Sequence, residues 1–459
     1  MDHERSFVAD LKSTLASDAI LITDPSIVIA YARDQAPMAQ HGRPLAVLLA
    51  RSEAEVATAL GAASAYRVPV VPRGAGSGLA GAANALEGSL VLSLERMNRI
   101  LELDPVDRIA RVEPGVVNLD LDNAASAFGL AYLPDPASRD WSTIGGNVST
   151  NAGGMCCLKY GVTADQVISL RVVLASGEVI HVGSRTLKGV VGLDLLHLFV
   201  GAEGTLGILT EITVRLADRP NPPATLVATF NSIEAAARAT GAIREAHTAP
   251  SLLEIMDRTT ISAVEAWHPM GLSDSMAVVI AQFDAETEIA TAKAIAACLE
   301  NGAIDAVVSG DPADSEDLLA ARKMAYPALE RLGIVLLDDV CVPVSKIAEL
   351  VVGVEKIGIA RGLTIGMFGH AGDGNMHPTI VHDRTDENAT TNVEAAFHEI
   401  IALAQSLGGT ASGEHGIGSI KTGAAALELG PQVIQFQRAI KLIFDPDSIM
   451  NPGRKFLLS

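Results

Sequence analysis

Aromatic residues make up only 4% of this 459-residue chain, and it has four cysteines. The first scarcity argues against an aromatic-lined binding module; alanine, valine, leucine and glycine dominate, as in an Ala-rich α/β enzyme. None of Cys156, Cys157, Cys298 and Cys341 forms a CxxC pair, and iron–sulfur clusters are held by several closely spaced thiolates. If the protein moves electrons, they leave through another protein or a diffusible acceptor. No run of lysine and arginine offsets the net charge of −20, which argues against a phosphate-backbone binder. No uncharged apolar segment reaches the roughly 18 residues that span a bilayer. The opening MDHERSFVADLK lacks the basic and apolar regions of a signal peptide. A cytoplasmic protein is expected, with peripheral membrane contact left open.

What is present is an apolar content of 49% and a length that predicts two or three domains. Through about residue 216 the pattern is short β runs broken by glycine turns. Ala46–Leu49, Pro69–Val71, Leu90–Leu94, Ile109–Val112, Val167–Ala175 and Val179–Val182 read as strands, and Ser52 with Glu55 marks the start of a helix ending near Tyr66. Arg219-Pro-Asn-Pro-Pro223 is a stiff breaker and the best domain boundary. Beyond it, strands at Leu226–Phe230, Leu252–Met256, Met276–Phe283, Ala306–Ser309 and Ile334–Leu337 alternate with long helical patterns, an α+β domain around a single sheet. Leu363–His370 and Met376–Val381 then predict two strands joined by a Gly-Asp-Gly-Asn loop.

Three glycine-rich stretches lie in the first part. Pro72-Arg73-Gly74-Ala75-Gly76-Ser77-Gly78-Leu79-Ala80-Gly81 contains a literal GxGxxG. A Rossmann turn needs a helix directly after those glycines, and the next strand begins too soon for one. The loop reads instead as a concave anion site of backbone N–H groups, suited to a pyrophosphate, against the plainer reading of a flexible turn. A second stretch, Pro134 to Gly154, is dense in hydroxyls and amides, and a third runs from Gly201 to Thr210. Late in the chain, Gly369-His-Ala-Gly-Asp-Gly-Asn-Met-His377 and Glu414-His415-Gly416 gather three histidines and an acid around glycine turns. That composition reads as a metal and proton-transfer site.

PRGAGSGLAG, PDPASRDWSTIGGNVSTNAGG and GAEGTLGILTEI resemble the FAD-binding domain of the vanillyl-alcohol oxidase type. GHAGDGNMH, EHGIGSIK and NPGRKF resemble the branch holding glycolate oxidase FAD-linked subunits, D-lactate dehydrogenases and D-2-hydroxyglutarate dehydrogenases. The resemblance implies an α+β fold: a two-part FAD-binding domain at 1–218, an α+β cap domain with an antiparallel sheet at 219–420, and a C-terminal segment, 421–459, returning to the FAD domain. It implies non-covalent FAD, with Pro72, Arg73, Gly74, Ala75, Gly76, Ser77, Gly78 and Leu79 around the pyrophosphate. Pro134, Asp135, Thr143, Gly146, Asn147, Asn151 and Gly154 would line the flavin and ribityl chain. Glu203, Gly204, Gly207 and Ile208 would take the adenosine side, and Asn451 would sit near the isoalloxazine. His370, His377 and Glu414 match ligands of a divalent metal (Zn, Mn or Fe), His415 the general base and Arg322 the arginine for a substrate carboxylate. Asp373 fits either an acceptor for a ligating ring or a turn cap.

The activity so implied is oxidation of a small D-2-hydroxy acid, glycolate or D-lactate, with hydride passing to the flavin and electrons to an acceptor protein or quinone, an iron–sulfur subunit being one candidate. A homo-oligomer is expected. Relatives specific for D-2-hydroxyglutarate carry a lysine in the segment that here reads Leu336-Leu-Asp-Asp-Val-Cys-Val-Pro343, and often an asparagine where this chain has Thr379. Both departures weigh against that diacid. A metal-dependent hydrolase of a phosphorylated substrate is the alternative from another class, but it leaves the Pro134–Gly154 stretch without a purpose.

Overall fold

The computed structural model describes residues 2–186, 188–285, 287–383 and 389–455. It divides into two compact units: Met1–Gly153 with Gly161–Arg219 and His415–Ser459, and Gly154–Tyr160 with Pro220–Glu414.

In the first unit, Ala46–Leu49, Leu90–Ser93 and Val70–Arg73 pair in parallel, with Ile20–Ile22 antiparallel at the edge. Parallel strands covered on both faces read as continuous apolar runs. Here Leu48, Val70, Leu90 and Leu92 pack on one side with Phe7 and Leu60, while Val47, Leu49, Val71 and Val91 pack on the other with Val28. The helix Glu53–Ala65 begins at Ser52, whose hydroxyl accepts from Glu55 N–H. The Glu55 carboxylate reaches the N–H of Arg51 instead of that of Ser52, so the two residues cap the helix from one side only. No helix intervenes between Arg73 and Leu90.

A second, antiparallel sheet runs in the order Ile100–Asp104, Ile109–Val112, Ile208–Arg215, Val167–Val173, Val179–Gly183. Its longest strand, Ile208–Arg215, begins inside a stretch that the sequence presents as a glycine turn. The helix Ile144–Thr150 was likewise hidden by its two glycines; Thr143 caps it through Gly146 N–H and Asn151 closes it at φ +55°. The C-terminal helix, Thr422–Phe444, breaks at Gly430 (φ +73°) ahead of Pro431. The chain then returns to the parallel sheet, where Met450 bridges Val70. Buried Lys441 fixes that return: it pairs with Asp445 and donates to the carbonyls of Thr205 and Met450 at 2.6 and 2.7 Å.

The second unit is built on an eight-stranded sheet. Its main path is Ala303–Ser309, Ala224–Phe230, Ala277–Phe283, Leu252–Asp257, Thr364–His370, Asn375–His382, Ile334–Leu337, with Val340–Cys341 also pairing on Asn375–His382. Its strands pair antiparallel throughout that path. Leu252, Met256, Ile280 and Phe368 form its core with Ile261, Val264, Ala325 and Leu329 from the covering helices.

Candidate active site

In the first unit the expected cofactor residues converge. A Cβ at Gly74 would lie 2.4 Å from Thr143 Oγ1, and one at Gly204 would lie 2.3 Å from Pro72, so the first stretch abuts both others. Glu203 N–H donates to Ser149 O at 2.7 Å. Asn451 Nδ2 donates to Ala82 O at 2.9 Å and Glu203 O at 2.7 Å. Pro134 O accepts from Asn118, Gly207 packs against Val172, and Ile208 begins its strand. Gly154 falls in the second unit.

Among the described residues, Arg73 Nη1, Asn118 Oδ1, Asn147 Nδ2 and Asn451 Oδ1 are buried without a hydrogen bond. Buried polar atoms are nearly always satisfied, so this group points to a polar ligand. Burial pulls the Arg73 pKa down, opposed chiefly by Asp34; a bound anion would answer the same need. The residues fit FAD on these grounds. The Arg73 side chain, folded over Gly76, adds a cation to a loop expected to work through its backbone.

Glu203 has a use the motif does not announce. Its two oxygens accept from Ile417 N–H and Gly418 N–H, each at 2.7 Å. It therefore pins the turn that follows His415, a half-buried residue at the start of the unit's last segment.

In the second unit the hairpin register sets Phe368 opposite His377 and His370 opposite Asn375, so all four side chains share one face. The Nε2 atoms of His370 and His377 each stand 3.3 Å from Glu414 Oε1, and the rings meet edge-on with centroids 5.0 Å apart. Glu414 is held by Asp339, whose Oδ2 accepts from Glu414 N–H at 3.0 Å and Ser412 Oγ at 2.6 Å while Oδ1 accepts from Asn375 at 2.6 Å. Burial raises the Glu414 pKa, but the two histidines outweigh it and hold the carboxyl well below its usual range. Burial likewise opposes charge on His370, and Glu254 and Glu414 override it, raising that pKa. One ligand atom from each of the three residues lies within 4.8 Å of the others. This nitrogen and oxygen donor set suits zinc, manganese or iron.

Arg322 sits on the helix Pro312–Glu330, is 8% exposed, stacks 4.7 Å from the Phe368 ring centroid and donates through Nε to Glu254 at 2.5 Å. Glu254 also meets His370 Nδ1 at 2.7 Å. Asp373 is the turn cap, accepting from Asn375 N–H at 3.1 Å. Glu254 and Asp339 belong to no motif of the sequence. The available signal was an acid inside the apolar run Leu252-Leu-Glu-Ile-Met256.

The FAD-linked oxidase C-terminal domain matches residues 219–454, and an FAD binding domain matches 44–183. The glycolate oxidase subunit GlcD of Bacillus subtilis (strain 168) is 41% identical over 433 residues, 93% of this chain and 92% of that one. A D-lactate dehydrogenase of Anaerostipes hadrus is 35% identical over 438 residues, covering 92% of each. Among solved structures, p-cresol methylhydroxylase with substrate bound superposes with a TM-score of 0.82, 17% identity and coverage of 99% and 97%, a likeness of fold alone. The chain belongs to the FAD-linked oxidases, with a fold of the vanillyl-alcohol oxidase type. It is an FAD-dependent oxidoreductase.

Proposed function

We propose that the chain oxidises a small D-2-hydroxy acid, glycolate or D-lactate, to the 2-oxo acid, using non-covalent FAD and a divalent cation held by His370, His377 and Glu414. The observation that carries this reading is the approach of two imidazole nitrogens to one Glu414 oxygen at 3.3 Å each: acceptor atoms so close require protons or a cation between them. The relatives' names, glycolate oxidase subunit and D-lactate dehydrogenase, support the substrate class.

When bound, the cation supplies Lewis-acid polarisation of the substrate oxygens and FAD a two-electron acceptor. Arg322 is the proposed partner of the substrate carboxylate, its planar fork suited to that group. His415 is the proposed base, taking the hydroxyl proton on an imidazole nitrogen, help worth roughly 10²- to 10⁴-fold. Thr379 is fully buried with its hydroxyl turned to His377 O, which supports a small acid over a longer diacid.

A relative named as a subunit supports a protein partner or a quinone as electron acceptor, with an iron–sulfur subunit among the candidates. Among the described residues no helix is long and apolar enough to cross a membrane. We place the chain in the cytoplasm as a homo-oligomer. The test is the visible spectrum of the purified flavoprotein, before and after anaerobic addition of glycolate, D-lactate and D-2-hydroxyglutarate in turn. Bleaching by either of the first two is expected; bleaching by D-2-hydroxyglutarate alone would replace the substrate assignment.

A further inference from the structure

Glu254 is fully buried on the strand Leu252–Asp257, between Leu253 and Ile255, each 1% exposed. An ionised carboxylate there costs several kcal/mol unless it is paired on both oxygens. Both are paired: Oε1 with His370 Nδ1 at 2.7 Å and Oε2 with Arg322 Nε at 2.5 Å. Strand pairing explains the placement. Ile255 lies opposite Gly369 and Met256 opposite Phe368, so one further step sets Glu254 beside His370, and the arginine arrives from the covering helix.

The geometry points to Glu254 as a positioning residue that serves both halves of the site, fixing His370 as a ligand and Arg322 as the carboxylate clamp; this rests on the metal reading above. An ionised carboxylate only accepts hydrogen bonds. The Nδ1 proton of His370 is therefore directed at Glu254, and Nε2, turned to Glu414, is the nitrogen left for a cation to take in place of a proton. Partners of this kind fix the tautomer and ring orientation of a ligating histidine. The other Glu254 oxygen holds Arg322 through Nε, and the guanidinium lies over Phe368, whose ring is 5.7 Å from that of His377. Arg322, Phe368, His377, His370 and Glu254 thus close a ring of contacts, and one buried carboxylate ties the anion clamp to the ligand set.

Glutamine cannot replace it. An amide has one acceptor oxygen and one donor nitrogen; if the oxygen serves Arg322, the NH₂ faces His370 Nδ1 and drives the ring proton onto Nε2, the tautomer that cannot ligate. The experiment is competition for Zn²⁺ between the chelator-stripped flavoprotein and a chromophoric chelator, with the flavin spectrum and melting temperature as checks on folding. Wild type should bind one ion per chain with an affinity that His377→Ala abolishes. Glu254→Gln should bind about 10- to 100-fold more weakly, and Phe368→Leu, which leaves the Glu254–His370 bond in place, should stay near wild type. Wild-type affinity in Glu254→Gln, or an equal loss in Phe368→Leu, overturns the inference and leaves the metal reading standing. A wild-type chain that binds Zn²⁺ no better than His377→Ala overturns both. Should Glu254→Gln fail to accumulate as a flavoprotein, Glu254→Asp is measured instead. Its carboxylate, one methylene shorter, cannot reach both partners, and unchanged affinity in that variant overturns the inference equally.

Discussion

His370 and His377 reach the same Glu414 oxygen because they occupy one face of paired strands, two residues apart in register. In the proposed metal site, removing either ring leaves too few ligands for tight binding. His377→Ala is expected to lose the metal and at least about 10²-fold in turnover while keeping its flavin, which metal analysis and anaerobic bleaching would measure. Asp257 supports a prediction independent of the metal. Burial raises its pKa to about 6 from 3.8, although it caps a helix through Thr260 N–H at 2.8 Å. Because the native state holds the proton more tightly, stability from this group is full below 3.8 and is lost as pH rises through about 6. Asp257→Asn still accepts from Thr260 and does not titrate. The stability of wild type minus variant should therefore fall by up to ~3 kcal/mol between about pH 4 and about pH 7, in denaturant melts at each pH. Residues such as His370 were legible because histidines among glycines have no packing role. Glu254 and Asp339 were not, since a lone acid declares itself only through partners far along the chain.

The apolar runs were readable as strands nearly to the residue, because a strand buried on both faces has one composition. Elements built with glycine were not: the helix Ile144–Thr150 and the start of the strand Ile208–Arg215 both sat within stretches that announce turns. The turn between the strands that carry His370 and His377 does need its glycine. Gly374 has φ +90°, and a Cβ there would lie 1.9 Å from Val342 O, so Gly374→Ala should distort the hairpin and lower the melting temperature. Asp339 binds that hairpin to the Ser412–Glu414 turn with three hydrogen bonds. Its loss strands buried donors at about 1–3 kcal/mol each. Asp339→Ala should weaken metal binding without touching a ligand, measured by the same chelator competition, and its flavin content should stay at the wild-type level.

At the scale of the whole molecule, each unit carries one chemistry: the first gathers the orphaned polar atoms that suit FAD, the second the donors that suit a metal. The chain crosses between them more often than its breaker at 219–223 announces, since Gly154–Tyr160 joins the second unit and the last segment returns to the first. Phe456, which ends the NPGRKF motif, lies outside the described residues. Lys441 holds the return in place, and its pKa is lowered by burial against the pull of Asp445. Lys441→Met would strip buried Asp445 of its cation and leave it only the N–H groups of Ile449 and Met450, so a loss of about 3–5 kcal/mol is expected, read as a lower unfolding midpoint and easier flavin release. The return also sets a clock. Asn451 bridges Ala82 and Glu203, yet it is made long after either of them as the chain grows from its N-terminus. The glycine stretches are therefore made well before the residue that ties the end of the first to the third, so FAD uptake is expected to wait for Asn451, and a chain cut just ahead of it is expected to purify without the visible absorbance of flavin.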